Sequence, residues 1–311
     1  MSQPDEYDPM QEVAQRRIDS LGQQELRIVA PDTSFFGGAR GSLLDLWNHR
    51  ELWWLLTKRE LKARYKDSVL GFLWTLVRPL VNLLIYYYAI GEILGASRSI
   101  DNFAVYVFAG LTAWGLFSQV VASSTGSIVG NSGIVKKVYL PREIFPLSAT
   151  GAACVDFLAQ LAILVVGTAL IIRDVDWLSL VMYGPLSLLV LLTWGVAFGV
   201  VLAAANVYLR DVQYLVEVAM MVGFWLTPSV YSFEMVINEA PAWMLDIYLA
   251  NPTTLAVLGF QKAFWAVGSE SIIWPSHLFT RLTIMLAIGC VLVFVAQRVF
   301  SRMQRNFAQE L

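Results

Sequence analysis

From about residue 70 onward the chain is built from long apolar runs, with no strand-like alternation to rival them. A helix needs about 20 mostly apolar residues to cross roughly 30 Å of hydrocarbon, and in lipid every backbone group must find its partner within the chain. Six stretches meet that requirement: Leu70–Gly95, Phe103–Val129, Ile144–Ile172, Leu178–Tyr208, Tyr214–Tyr231 and Leu278–Gln297. The pattern predicts an all-α polytopic membrane protein with six transmembrane helices. Three segments break the rhythm. Residues 43–66 are rich in charge and aromatics. As a helix they place Leu43, Trp47, Trp54, Leu61 and Tyr65 on one stripe beside Arg50 and Lys58, which suits a membrane interface. Leu52 and Leu56 fall on the other side, where the bundle or a partner protein can cover them. The loop 131–146 mixes Lys136, Lys137, Arg142 and Glu143 with Val138, Tyr139 and Leu140, and Pro141 and Pro146 limit any helix there. The stretch 232–276 is apolar but punctuated by Pro241, Pro252 and Pro275. It leaves two helical pieces, Ala242–Leu249 and Thr253–Val267, each too short to cross. A re-entrant pair shielded by protein fits that pattern; a hairpin lying on the surface is the alternative.

Charge adds orientation. Beside the spans, Lys58, Arg59, Lys62, Arg64, Lys66, Lys136, Lys137, Arg142, Arg210, Arg298, Arg302 and Arg305 fall on one side. Arg98, Arg173 and Lys262 fall on the other. The basic side faces the cytosol, so both termini are expected there. Residues 1–42 begin acidic and lack an apolar core, which reads as a cytosolic tail rather than a secretory signal. The organisation is then a tail over 1–42, an interfacial helix over 43–66 and a six-span domain over 67–311.

Composition agrees. In 311 residues 57% are apolar and 15% charged, with mean hydropathy +0.58, against about 45–50% and 25% in an ordinary globular domain. Cys154 and Cys290 lie inside apolar runs and read as packing residues. The two histidines, His49 and His277, sit at opposite faces and offer no metal site. No lysine is followed by Ser or Thr, so a phosphate-binding Gly-x-x-x-x-Gly-Lys-[Ser/Thr] loop cannot be written; if ATP drives this protein, another chain binds it. The Asp-x-Asp of Asp174 and Asp176 reads as loop charge. Arg78, Glu92, Asp156 and Glu217 lie within expected spans, and Asp156 is the deepest. A proton-coupled carrier would need such a carboxylate; a structural pairing is the other reading. Paired glycines at Gly91/Gly95, Gly126/Gly130 and Gly195/Gly199 allow close helix approach. Aromatics make up 13% of the chain, and Tyr86, Tyr87, Phe224, Trp225 and Tyr231 are candidates for a wall along which a carbohydrate slides. An interfacial belt accounts for most of the outer aromatics.

The segment 46–84 resembles the opening of the permeases of bacterial polysaccharide and polyol-phosphate ABC exporters. The resemblance rests on His49–Leu52, Lys58–Glu60, Arg64–Lys66, Ser68–Trp74 and Pro79-Leu80. It continues through Lys137–Pro146, then Thr227-Pro228 with Tyr231, and Asn251-Pro252-Thr253, in that order to the C-terminus. The resemblance implies a homodimer of permease chains joined to two copies of a separate ABC ATPase, which alone carries ATP and Mg; this chain needs no cofactor, is not an enzyme and binds no nucleic acid. It implies an interfacial helix carrying His49, Arg50, Trp54, Lys58, Arg59 and Arg64. Lys136, Lys137, Tyr139, Pro141, Arg142 and Glu143 would couple to the ATPase, and Pro228, Asn251 and Pro252 would belong to an outer gate. The cargo implied is a polyprenyl-diphosphate-linked glycan of O-antigen, galactan or teichoic-acid type, crossing the cytoplasmic membrane of a bacterium. Three rivals remain: an ABC exporter of drugs or small lipids, a proton-coupled carrier dependent on Asp156, and a membrane transferase using Asp174, Asp176 or a histidine.

Overall fold

The computed structural model describes residues 44, 47–66, 68, 71–137, 140–172, 175–265 and 273–311. Among these, the regular structure is helical and no strand occurs. The expected tail, residues 1–42, lies outside the described residues, as do Tyr139 and Asp174.

Helix α1 spans Arg50–Tyr65. A 3-10 turn at Gly71–Leu73 leads into α2, Trp74–Tyr86, and then a π-helical stretch at Tyr87–Ile93. Gly95, with φ of +79°, ends that span in a conformation glycine adopts freely. Helix α3 covers Phe103–Gly130, α4 Ser132–Val135, α5 Ile144–Ile171 and α6 Trp177–Tyr208. The remaining helices are α7, Val212–Trp225; α8, Phe233–Glu239; α9, Ala242–Ala250; α10, Pro252–Phe264; α11, Leu278–Met303; and α12, Phe307–Glu310. Five helical stretches are long and apolar enough to cross a membrane: Gly71–Ile93, α3, α5, α6 and Leu278–Asn306.

The expected fifth span, Tyr214–Tyr231, takes another form. Helix α7 stops at Trp225, and residues 226–231 turn away from it. At 14 residues α7 is about 21 Å long, short of the roughly 30 Å needed. Pro228 cannot donate the backbone bond that a continuing helix requires, which explains the stop.

Helix α3 is the centre of the bundle: its most apolar stretch is 72% buried, against 6% for the first span. It packs on α5, α6, α7 and α10. Val107, Ala109, Ala113 and Val120 meet Val190 and Leu191 of α6 and Leu255, Leu258 and Phe260 of α10 in the main core. A second core lies at the end carrying Lys136, Lys137 and Arg302, hereafter the basic end. There Leu56, Ile128, Phe145, Val207, Phe300 and Phe307 cluster. The glycine pair of α6 serves the α3 contact: a Cβ on Gly195 would sit 3.0 Å from Val120 and one on Gly199 2.7 Å from Ser124. Of the other pairs, Gly91 receives the Phe103 ring, whereas Gly130 faces open space.

Candidate functional site

The break after α7 is where the short helices converge. Asn251 caps α10, its side-chain oxygen accepting from Thr253 N at 3.0 Å, with Pro252 at the first helical position as the chemistry of helix starts favours. Helix α10 runs antiparallel to α6: Gly184 faces Ala263, and Gly259 faces Ser187. The N-terminus of α10 therefore points into the bundle. It meets the end of α7 there, where Thr254 Oγ1 donates to Leu226 O at 3.3 Å. Nearly every side chain of α10 is buried. The expected pieces Ala242–Leu249 and Thr253–Val267 thus appear as α9 and α10, the second ending earlier, at Phe264; residues 266–272 are outside the described set.

Residues 226–231 are held from both sides. Tyr106 on α3 brings its hydroxyl to 3.1 Å from Pro228 O and 2.6 Å from Tyr231 O, while Gln261 Nε2 on α10 donates to Pro228 O at 2.7 Å. Gly110 lets the strap lie against α3, since a Cβ there would stand 2.5 Å from Ser229 O. Tyr231 donates to Trp225 O at 3.0 Å and lies 3.3 Å from the Tyr248 hydroxyl of α9. Gly110 and Gln261 were missed in the sequence, although a glutamine inside an apolar helix was a signal; Tyr106 read only as one of the outer-half aromatics.

Of the wall aromatics, the structure brings Tyr86, Phe224 and Trp225 together. Ring centroids are 5.6 Å apart for Tyr86–Phe224 and 5.4 Å for Phe224–Trp225, and Trp225 is exposed. Tyr231 joins them through the Trp225 carbonyl. Tyr87 stands apart: it packs on Tyr88 and Phe103 and lines a cavity of about 330 Å³ with Ser97, Asn102, Ala104 and Ile171.

At the basic end, α1 packs lengthwise on α5. Its buried face is Leu56 and Thr57, with Leu52 and Trp53 half-buried; Trp47 and Trp54 of the expected stripe remain exposed. This face wins because Gly151 of α5 leaves room for the Trp53 ring, whose Nε1 donates to Leu147 O at 2.9 Å. Lys58 lies over the Trp54 ring at 5.1 Å and Arg50 over Trp47 at 5.8 Å, both on the open face; His49 precedes the helix as its cap residue. Arg59 donates to Asn131 Oδ1 at 3.0 Å. Arg64 reaches furthest, with Nη1 2.6 Å from Asp156 Oδ2. Gln119 Nε2 of α3 donates to the same oxygen at 2.6 Å. Asp156 is therefore a buried carboxylate bound by a cation and an amide, an arrangement that satisfies it structurally.

The basic loop divides into two parts. Lys136 and Lys137 are exposed, and Pro141 is half-buried. Arg142 and Glu143 turn inward. Arg142 donates to Gln304 O and lies 5.6 Å from the Phe307 ring centroid; buried Glu143 accepts from Gln297 Nε2 at 3.0 Å and Ser301 Oγ at 3.1 Å. On the opposite end Asp176 caps α6, accepting from Leu178 N and Ser179 N at 3.0 and 3.2 Å. The Ser179 hydroxyl and these backbone donors hold its carboxyl below the usual range. Among the described residues no group of three His, Cys, Asp or Glu side chains could hold a metal ion.

These features define a multi-pass helical membrane protein in which α7 breaks off against two short helices, α9 and α10. Residues 51–265 match the ABC-2 type transporter family, and the chain belongs to it. It is similar to the O-antigen export system permease protein RfbA of Myxococcus xanthus, 29% identical over 86% of this chain and 98% of that one. The protein of the same name from Klebsiella pneumoniae is 28% identical over 83% of this chain and 93% of that one. The polysialic acid transport protein KpsM of Escherichia coli is 30% identical over 24% of this chain and 30% of that one. The chain is thus a permease domain of a bacterial ABC transporter family and not itself an enzyme.

Proposed function

We propose that this chain is the membrane-spanning subunit of an ATP-driven exporter that moves a polyprenyl-diphosphate-linked polysaccharide of O-antigen, galactan or teichoic-acid type out of the cytosol. The observation that carries this reading is the near full-length similarity to permeases named for O-antigen export. Two copies would pair and bind two separate ABC ATPases, with both termini in the cytosol. Support for pairing comes from open apolar faces on the first span (Leu80, Leu84, Tyr88) and on α7 (Val218, Met221, Trp225). Between two such faces, Tyr86, Phe224, Trp225 and Tyr231 would offer aromatic surface to sugar rings. The strap at Pro228 and the α9–α10 tip at Asn251 and Pro252 would form the outer gate, with α7 as a sixth, incomplete crossing. Lys136 and Lys137, with Tyr139 and Pro141, would meet the ATPase, while Arg142 and Glu143 would brace that loop on α11. On α1, Arg50, Trp54 and Lys58 would face the membrane surface beside His49, with Arg59 and Arg64 turned to the bundle.

The proton-coupled carrier loses support because the carboxylate of Asp156 is bound by Arg64 and Gln119. The test is depletion of this chain in its host, followed by extraction of lipid-linked glycans from the cytosolic leaflet. The expected result is build-up of a full-length lipid-linked polymer, whose sugars identify the cargo. Normal synthesis without build-up would overturn the glycan reading in favour of a small-amphiphile exporter.

A further inference from the structure

Asp156 sits twelve residues into α5, about 18 Å along its axis at 1.5 Å per residue. Its two ligands come from different elements: Arg64 from the last turn of α1 and Gln119 from the middle of α3. We infer that the Arg64–Asp156–Gln119 cluster is a mechanical tie, through which movement of α1 at the basic end is passed to α3 and thence to the strap over residues 226–231. Arg64, Asp156 and Gln119 are positioning residues in this scheme and touch no cargo. The inference rests on the reading of the chain as the permease of an ATP-driven exporter.

Three observations support a rigid connection rather than a local ion pair. First, α1 is pinned to α5 along its length, by Trp53 to Leu147 O and by Thr57, fully buried, to Ser148 O at 3.4 Å. Second, it is pinned to the end of α3 as well. Arg59 donates to Asn131 Oδ1, and the Asn131 amide donates to Glu60 Oε1 at 3.4 Å and Ser127 O at 2.8 Å. Third, the same helix α3 carries Tyr106 and Gly110, the two residues that hold the strap. Asp156 is 5% exposed at its side chain and Arg64 26%, so the carboxylate is shielded while the guanidinium reaches it from the open side of α1. A displacement of α1 that left α5 behind would strand a buried carboxylate, which is costly. Moving α1 and α5 together keeps the charge paired, and the Gln119 amide on the same oxygen ties α3 to that movement.

The test uses the full chain in cells lacking their own copy, with the ATPase co-purified on a tagged permease. Its readouts are the chain level in the membrane, ATP hydrolysis by the purified complex, and polymer at the cell surface. The variants are R64M/D156M, which removes both charges and so leaves none unpaired, and the exchange R64D/D156R. R64M/D156M is expected to accumulate and hydrolyse ATP while surface polymer falls by roughly 5- to 150-fold, the range of ordinary coupling between sites. The exchange is expected to restore export toward the wild-type level. Export at the wild-type level by R64M/D156M would overturn the tie. So would failure of the exchange to restore export when it accumulates as well as R64M/D156M. If instead the wild-type chain exports without a co-purifying ATPase, the exporter reading itself fails, a result separable from either.

Discussion

Asp176 shows how a residue that reads as plain loop charge can be a local device. Its carboxylate accepts from Leu178 N and Ser179 N and from the Ser179 hydroxyl, which leaves it little for the transferase role among the rival readings. Replacing Asp176 with Ala should cost about 0.5–2 kcal/mol, the usual range for a lost helix cap, read as an earlier thermal unfolding in detergent. The pH dependence has a definite sign. A carboxyl held below the ordinary aspartate range contributes stability that is present above that range. The contribution is lost as pH falls through the lower folded value. The wild type should therefore weaken below about pH 4 by a step that Asp176→Ala lacks. Equal acid sensitivity in both proteins would remove the cap from the account. Asp156 gives the complementary lesson. A lone carboxylate in a span was visible in the sequence, but its partners were not, being 92 and 37 residues away. No periodicity reports a pairing across that distance.

Elements were more legible than their contacts. Five of the six expected spans match helical stretches, the last running on past Gln297, because a run of twenty apolar residues has few other solutions in lipid. The fifth in order failed at Pro228, where apolar composition hid a backbone that had to turn. The buried face of α1 was partly legible: Leu52 and Leu56 fall opposite the aromatic stripe, and Leu56 packs on the bundle, whereas nothing in the sequence marked Gly151 or the Trp53 indole bond. Glycines offer a direct test of which contacts matter. Gly110→Ala places a Cβ 2.5 Å from Ser229 O, a backbone atom that cannot rotate aside. It should destabilise the chain by about 1–3 kcal/mol, as overpacking does. Gly167→Ala, in the body of α5 with nothing within 4 Å of the new Cβ, should be neutral or stabilising by up to about 1 kcal/mol. Thermal unfolding of the two variants side by side decides it. Equal effects would mean that the strap does not press on α3.

At the scale of the whole molecule, the loop at the basic end separates two roles that its sequence mixes. Glu143 is an internal brace: its carboxylate accepts from Gln297 and Ser301 on α11. Glu143→Ala would leave both donors without that acceptor in a buried place, so unfolding should come earlier by about 1–3 kcal/mol. Reversing Arg142 and Glu143 together would disturb this brace before it tested any partner. Lys136 and Lys137 are exposed, and among the described residues no side-chain hydrogen bond or ion pair holds them to the rest of the chain. K136E/K137E should therefore leave stability within about 0.5 kcal/mol of wild type. If the pair docks on an acidic surface of the ATPase, the same variant should lose co-purification and export. Opposed charges at a rim mainly set how fast partners meet and how strongly salt opposes them. The wild-type complex should then assemble less readily as ionic strength rises past about 0.15 M, where screening acts within about 8 Å. Assembly of the variant should start low and show little salt dependence. Wild-type assembly and export by K136E/K137E would take the lysines out of the docking surface and leave Pro141 and Tyr139 as the contacts to examine next.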